Sequence, residues 1–276
     1  MRKVTVAVAQ IASAGDCAKN YAKAEAMIAE AAEKGARLIV FPENMNRMGA
    51  YSPDYREAIP GGECCQRLSA AAKKHGLWVH TGSIKELSND PYKAYNTAML
   101  YAPDGTLAAK YRKIHLCDMS ARPDSRSQES DRILPGREVV VADTELGKIG
   151  MAICYDMRFP ELFRLMALQG AKIMCLPASF GVTTGCAHWE VMLRTMAIHN
   201  HCYVLASGQC GTTEGGLARW GHSMIIDPWG TVIAEAGQER EALLTAEIDL
   251  DYTDELKARL GSLTNRREDV YRLTSV

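Results

Sequence analysis

The feature that most restricts the fold of this chain is an internal repeat. Ala32-Glu-Lys-Gly-Ala-Arg-Leu-Ile-Val-Phe-Pro42 matches Ala167-Leu-Gln-Gly-Ala-Lys-Ile-Met-Cys-Leu-Pro177, a helix end, a glycine stop and a buried strand. Met99-Leu-Tyr-Ala-Pro-Asp-Gly-Thr-Leu matches Met224-Ile-Ile-Asp-Pro-Trp-Gly-Thr-Val, a hairpin with the same turn. Each half therefore reads helix, strand, helix, strand, hairpin. Two such halves predict two sheets packed face to face with helices outside. The blocks lie further apart in the first half, Pro42 to Pro103 against Pro177 to Pro228. The extra length falls between Pro42 and a helix starting near Gly62, where a loop could cover a pocket.

Helical spacing supports this layout. Ala22 to Ala32 is rich in Ala, Glu and Lys and ends at Gly35, and Cys64 to His75 carries a periodic apolar face. His188 to Asn200 presents Trp189, Met192, Leu193, Met196 and Ala197, a stripe that reads as core. Trp189 is assigned to structure, His188 is left open as a pocket neighbour, and His222 and Trp229 are assigned to hairpin packing.

Three segments end a strand on a reactive or charged residue. Leu38-Ile-Val-Phe is too apolar to have a wet side, and Pro42 ends it, leaving Glu43 at the C-terminal rim. Ala108-Ala-Lys-Tyr-Arg-Lys113 follows the Pro103-Asp-Gly turn and delivers charges to a loop. Ile149 to Ile153 runs into Cys154, and Pro160 to Gly170 reads as the next helix. A cysteine at such a corner lies near backbone N–H groups and a positive helix end, both of which favour thiolate. A buried core cysteine is the ordinary alternative. Together the three residue types suit amide hydrolysis through a thioester: a carboxylate to shuttle the proton, an ammonium for the oxyanion and a thiol as nucleophile.

These segments resemble the signature blocks of the nitrilase superfamily of carbon–nitrogen hydrolases: FPEN around Glu43, YRKIHLCD around Lys113 and GMAICYDMRFPEL around Cys154. The similarity runs nearly end to end, through Gln128-Glu129-Ser130, Leu134-Pro-Gly136, Gly221-His-Ser-Met and Asp227-Pro-Trp-Gly230. The order is similar to the Nit subgroup, which includes ω-amidases and deaminated-glutathione amidases. The resemblance implies an α/β fold, a four-layer αββα sandwich with two related halves, often paired into homodimers or higher homo-oligomers. It also implies a Glu-Lys-Cys catalytic set and a second glutamate near the lysine, which Glu129 matches. Cys117 stands where the family usually has Phe, a change expected to affect packing more than chemistry.

The expected reaction is hydrolysis of the terminal amide of a small carboxylated molecule, with release of ammonia. Cys154 attacks, Glu43 moves the proton, Lys113 and the Tyr155 backbone N–H hold the oxyanion, and Glu129 fixes Lys113 or orients the substrate. Arg47, Tyr51, Thr183 and Thr184 are candidate substrate-binding residues, and Arg158 is assigned to an ion pair with Asp156 or Glu161. N-carbamoyl or nitrile hydrolysis by the same triad stands as an alternative. Of another class are a catalytically idle binding protein, against which the chemically competent residues at every matching position argue, and a redox-thiol protein, which leaves Glu43 and Lys113 without a task.

Composition sets the remaining limits. The 276 residues can bury one large core and show no dividing linker, so residues 1–276 read as a single domain. With 32 basic against 33 acidic residues, neither nucleic acid nor an anionic membrane is implied as partner. The opening strand lacks the features of a signal peptide, and no apolar run approaches spanning length, which reads as cytoplasmic. Nine cysteines in such a chain are expected to be reduced thiols, without zinc-site spacing. Neither a phosphate loop nor a dinucleotide fingerprint is present, so neither ATP nor a dinucleotide is implied; no cofactor is expected, and no metal because the His and Cys clusters lack zinc-site spacing.

Overall fold

The computed structural model describes residues 2–122, 125–213 and 216–275. The first half contains β1 (Lys3–Gln10), α1 (Cys17–Glu33), β2 (Ala36–Val40), α2 (Glu63–His75), β3 (Trp78–His80), β4 (Ile84–Leu87), β5 (Ala94–Tyr101) and β6 (Leu107–Arg112). A connecting region follows with β7 (Asp118–Arg122), β8 (Ser125–Gln128), β9 (Ile133–Leu134) and β10 (Val140–Ala142). The second half repeats the plan with β11 (Lys148–Met151), α3 (Pro160–Leu168), β12 (Ala171–Ala178), α4 (Val182–Asn200), β13 (Tyr203–Gly208), β14 (Met224–Ile226) and β15 (Val232–Glu235). The chain then returns through β16 (Ala242–Asp249) to α5 (Tyr252–Leu260).

Each half builds a parallel trio, β1-β2-β3 or β11-β12-β13, continued by an antiparallel hairpin, β5-β6 or β14-β15. β16 pairs with β1 and so ties the chain end to the first sheet, while β10 closes the free side of β11. The halves are related as the repeat requires.

Alternation along the strands creates the layers. Val6, Val8, Leu38 and Val40 enter a core shared with Ile149, Met151, Ile173 and Cys175 of the opposite sheet. Their neighbours Ala7, Ala9, Ile39 and Phe41 point the other way, onto Tyr21, Ala24 and Ile28 of α1 and Leu68 of α2. Leu162, Phe163 and Met166 of α3 and Trp189 and Leu193 of α4 cover the outer side of the second sheet. The result is a four-layer αββα sandwich.

Local chemistry sets the ends. The Asp16 carboxylate accepts from the Ala18 and Lys19 N–H groups to start α1. α4 begins at Val182, earlier than its apolar stripe suggests, so Thr183 and Thr184 belong to its first turn. Trp189 is fully buried and donates to the His222 carbonyl at 2.7 Å, whereas Trp229 projects from its hairpin turn, 56% exposed. Among the described residues, no helix is long and apolar enough to cross a membrane.

Candidate active site

The C-terminal ends of β2, β6, β11 and β12 converge on a cavity of about 520 Å³ whose walls include Glu43, Lys113, Glu129, Cys154 and Ser179. Glu43 leaves β2 after Pro42 and is 4% exposed. Its turn is clamped from the β3–β4 connection, since Ser83 donates its N–H to the Pro42 carbonyl and its hydroxyl accepts from Asn44 N–H. Lys113 follows β6 and is 1% exposed, its backbone held by the Asn96 carbonyl on one side and Gly136 N–H on the other.

The carboxylate of Glu43 is fully engaged. Oε1 accepts from Lys113 Nζ at 3.0 Å and from Asn96 Nδ2 at 2.8 Å, and Oε2 accepts from Ser179 N–H at 2.9 Å. Glu129 holds the far side of the ammonium, with Lys113 Nζ donating to its Oε2 at 2.8 Å and Cys117 N–H to the same oxygen at 2.7 Å. Burial works against the Lys113 ammonium, but the charges of Glu129 and Glu43 outweigh it and hold its pKa well above the usual value. Burial likewise works against the Glu129 carboxylate, but Lys113, then Lys85, hold its pKa down to about 2. Both groups therefore stay charged at neutral pH.

Cys154 opens a 3-10 turn, Cys154–Arg158, with φ of +49°, a left-handed conformation that sets the side chain off the strand axis. Asp156 locks this turn to the lysine segment. Its Oδ2 accepts from Ile153 N–H at 2.8 Å and Tyr111 Oη at 2.7 Å, and its Oδ1 from His115 N–H at 3.0 Å. The thiolate expected at this corner is not the resting form. Burial, reinforced by the negative charge of Glu43, pushes the thiol well above its usual pKa, beyond what Lys113 and the Ser179 N–H recover. A protonated thiol needs a base to attack, and the Glu43 carboxylate lines the same cavity. No histidine lines the cavity among the described residues.

The family model for carbon-nitrogen hydrolases matches residues 5–258. The chain belongs to that family. Omega-amidase NIT2 of Xenopus tropicalis is 40% identical over 273 residues, 98% of each chain. The human deaminated glutathione amidase is 40% identical over 273 residues, covering 96% of this chain and 83% of its own. Among solved structures, the NitFhit protein of C. elegans superposes with a TM-score of 0.90 at 34% identity, covering 98% of this chain and 66% of that one. The protein is thus a carbon–nitrogen hydrolase, an enzyme of cysteine-dependent amide hydrolysis.

The remaining candidates of this hydrolase divide. Tyr51, in the long loop after Glu43, lines the cavity and donates its hydroxyl to the Tyr92 carbonyl. Arg47 does not line it, because its guanidinium donates to the Gly15 and Ala50 carbonyls and stacks on Tyr55. Thr183 and Thr184 also lie outside the cavity wall, in the first turn of α4. Arg158 pairs with neither Asp156 nor Glu161. The Asp156 oxygens are taken by other donors, and Arg158 Nη2 lies 3.3 Å from His188 Nδ1 instead. Asn96, Ser179, Lys85 and Arg219 line or brace the site without a local sequence signal, since each is brought in by strand pairing or by a loop from the opposite half.

Proposed function

We propose that this hydrolase cleaves the terminal amide of a small carboxylated substrate, in the manner of an ω-amidase, with Glu43, Lys113 and Cys154 as its catalytic residues. As the sulfur attacks the amide carbon, Glu43 takes the thiol proton. Lys113 and the Tyr155 backbone N–H hold the tetrahedral oxyanion, and Glu129 keeps Lys113 charged and aimed. Collapse passes the proton from Glu43 to the departing nitrogen, releasing ammonia and leaving a thioester. Glu43 then deprotonates a water that attacks the thioester, and its proton returns to the sulfur as the acid leaves.

The observation that supports this reading most is the buried Glu43–Lys113–Glu129 chain facing Cys154 in one cavity. The elevated thiol pKa argues against a redox-thiol role, which depends on an exposed thiolate. The names of the relatives, omega-amidase and deaminated glutathione amidase, point to the same class of substrate. We further propose that residues 1–276 form a single carbon–nitrogen hydrolase domain working in the cytoplasm as a homodimer or higher homo-oligomer.

Ammonia release from a panel of ω-amides, N-carbamoyl amino acids and nitriles tests the assignment. The expected result is turnover of short carboxylated ω-amides, abolished in Cys154→Ala. Preferred turnover of a carbamoyl compound or nitrile, or ammonia release that survives Cys154→Ala, overturns it.

A further inference from the structure

The cavity contains a second lysine that the reaction does not use. Lys85 lies on β4 directly opposite Asn96 on β5. Cross-strand partners share a face of the sheet, and the Asn96 amide reaches Glu43 at 2.8 Å and Glu129 at 3.3 Å. The Lys85 side chain therefore runs toward the same catalytic cluster, and it lines the cavity together with Cys154. Its neighbour Glu86 belongs to the other face, where it bonds Arg112, Lys110 and Thr97.

What distinguishes Lys85 is that its ammonium is bonded to no described group of the protein, although it lies in the field of Glu129 and Glu43. Lys113 is bonded by two carboxylates, whereas Arg219 is fixed in place through Nη1 by the Ser179 carbonyl at 3.0 Å, with no carboxylate partner among the described residues and its Nε unpaired. Arg132 lies exposed at the cavity mouth. Among the described residues, the Lys85 ammonium makes no hydrogen bond and no ion pair within 4.0 Å. An ammonium in such a setting is costly unless an anion or water meets it. Among the described residues the lining agrees, with four cationic side chains against three carboxylates, one positive charge in excess. A single carboxylate would neutralise it.

We propose that Lys85 is the specificity-determining residue of the site, receiving the free carboxylate of an ω-amide whose amide carbon lies at Cys154. This rests on the amidase reading above and adds the group that selects the acid-bearing substrate. The required ligand is a short monoamide of a dicarboxylic acid, with the carboxylate at the end of the chain opposite the amide.

Binding to a protein that cannot turn over isolates the effect. In the Cys154→Ala protein, isothermal titration compares succinamate with butyramide, which has the same chain length and no carboxylate. Adding Lys85→Met should weaken succinamate by about 10- to 100-fold, the scale of one lost charged hydrogen bond, and bring its affinity down to that of butyramide. Lys85→Arg should restore most of the preference. Equal melting temperatures for the Met and Arg variants establish that the fold is intact. The proposal is overturned if Cys154→Ala shows no preference for succinamate, if Lys85→Met keeps the preference, or if both ligands weaken in proportion, which would make Lys85 a support for Glu129. Ammonia release by the intact enzyme is scored separately. Carboxylate preference without turnover retires the amidase reading, whereas turnover without carboxylate preference retires only the role of Lys85.

Discussion

At Cys154 two requirements conflict. A nucleophile benefits from being a thiolate, yet burial and the nearby Glu43 charge both favour the thiol. On the proposed mechanism the thiol gives its proton to Glu43, whose carboxylate is held by Lys113, Asn96 and the Ser179 N–H. Glu43→Gln should therefore have two effects of opposite sign. Turnover should fall by about 10²- to 10⁴-fold, the usual contribution of a general base. Removing the negative charge should also ease thiolate formation, so the pH midpoint for alkylation of Cys154 by iodoacetamide should move down relative to wild type. Activity and an alkylation–pH profile on the two proteins check both. A histidine-dependent mechanism would instead leave Glu43→Gln largely active.

At the scale of elements, catalytic geometry depends on how closely β2 and β3 end beside one another. Gly82 has φ of +71°, and a Cβ there would lie 2.0 Å from the Pro42 carbonyl oxygen and 2.8 Å from that of Phe41. Gly35 also has positive φ, +77°, but a Cβ there meets nothing within 4 Å. Gly35→Ala should cost about 1 to 2 kcal/mol, the backbone penalty alone. Gly82→Ala should cost about 2 to 5 kcal/mol, because overpacking against main chain adds to the same penalty. It should also lower kcat, since the segment it displaces carries Glu43 and sub-ångström errors in position matter for catalysis. Urea unfolding and steady-state kinetics on both variants separate strain from steric displacement. Equal stability losses would refute the clash.

At the scale of the whole molecule, α4 turns Val191 and Ile198 outward, 58% and 44% exposed, and Trp229 is exposed as well. Side chains of this size in contact with water favour burial between copies. Sedimentation of the wild-type protein at micromolar concentration should show a dimer or larger assembly, and Val191→Asp with Ile198→Asp should shift it to monomer. A monomeric wild type would end the homo-oligomer proposal. The repeat blocks, the glycine stops and the strands ending at Glu43 and Cys154 were legible in the sequence because periodicity and turn chemistry are local. Arg47 stands off the cavity wall because loop carbonyls absorb its donors, and Thr183 and Thr184 because they form the first turn of α4, which begins six residues before the expected His188. Asn96, Ser179 and Lys85 carried no local signal. The sequence by itself determined two halves of one design and a thiol, a carboxylate and an ammonium at strand ends. Only the tertiary structure decided that these ends meet in one cavity, that the thiol stays protonated and that Lys85 faces it without a bonded partner among the described residues. Those outcomes depend on which faces pack together and how much water they exclude, quantities that belong to pairs of distant segments.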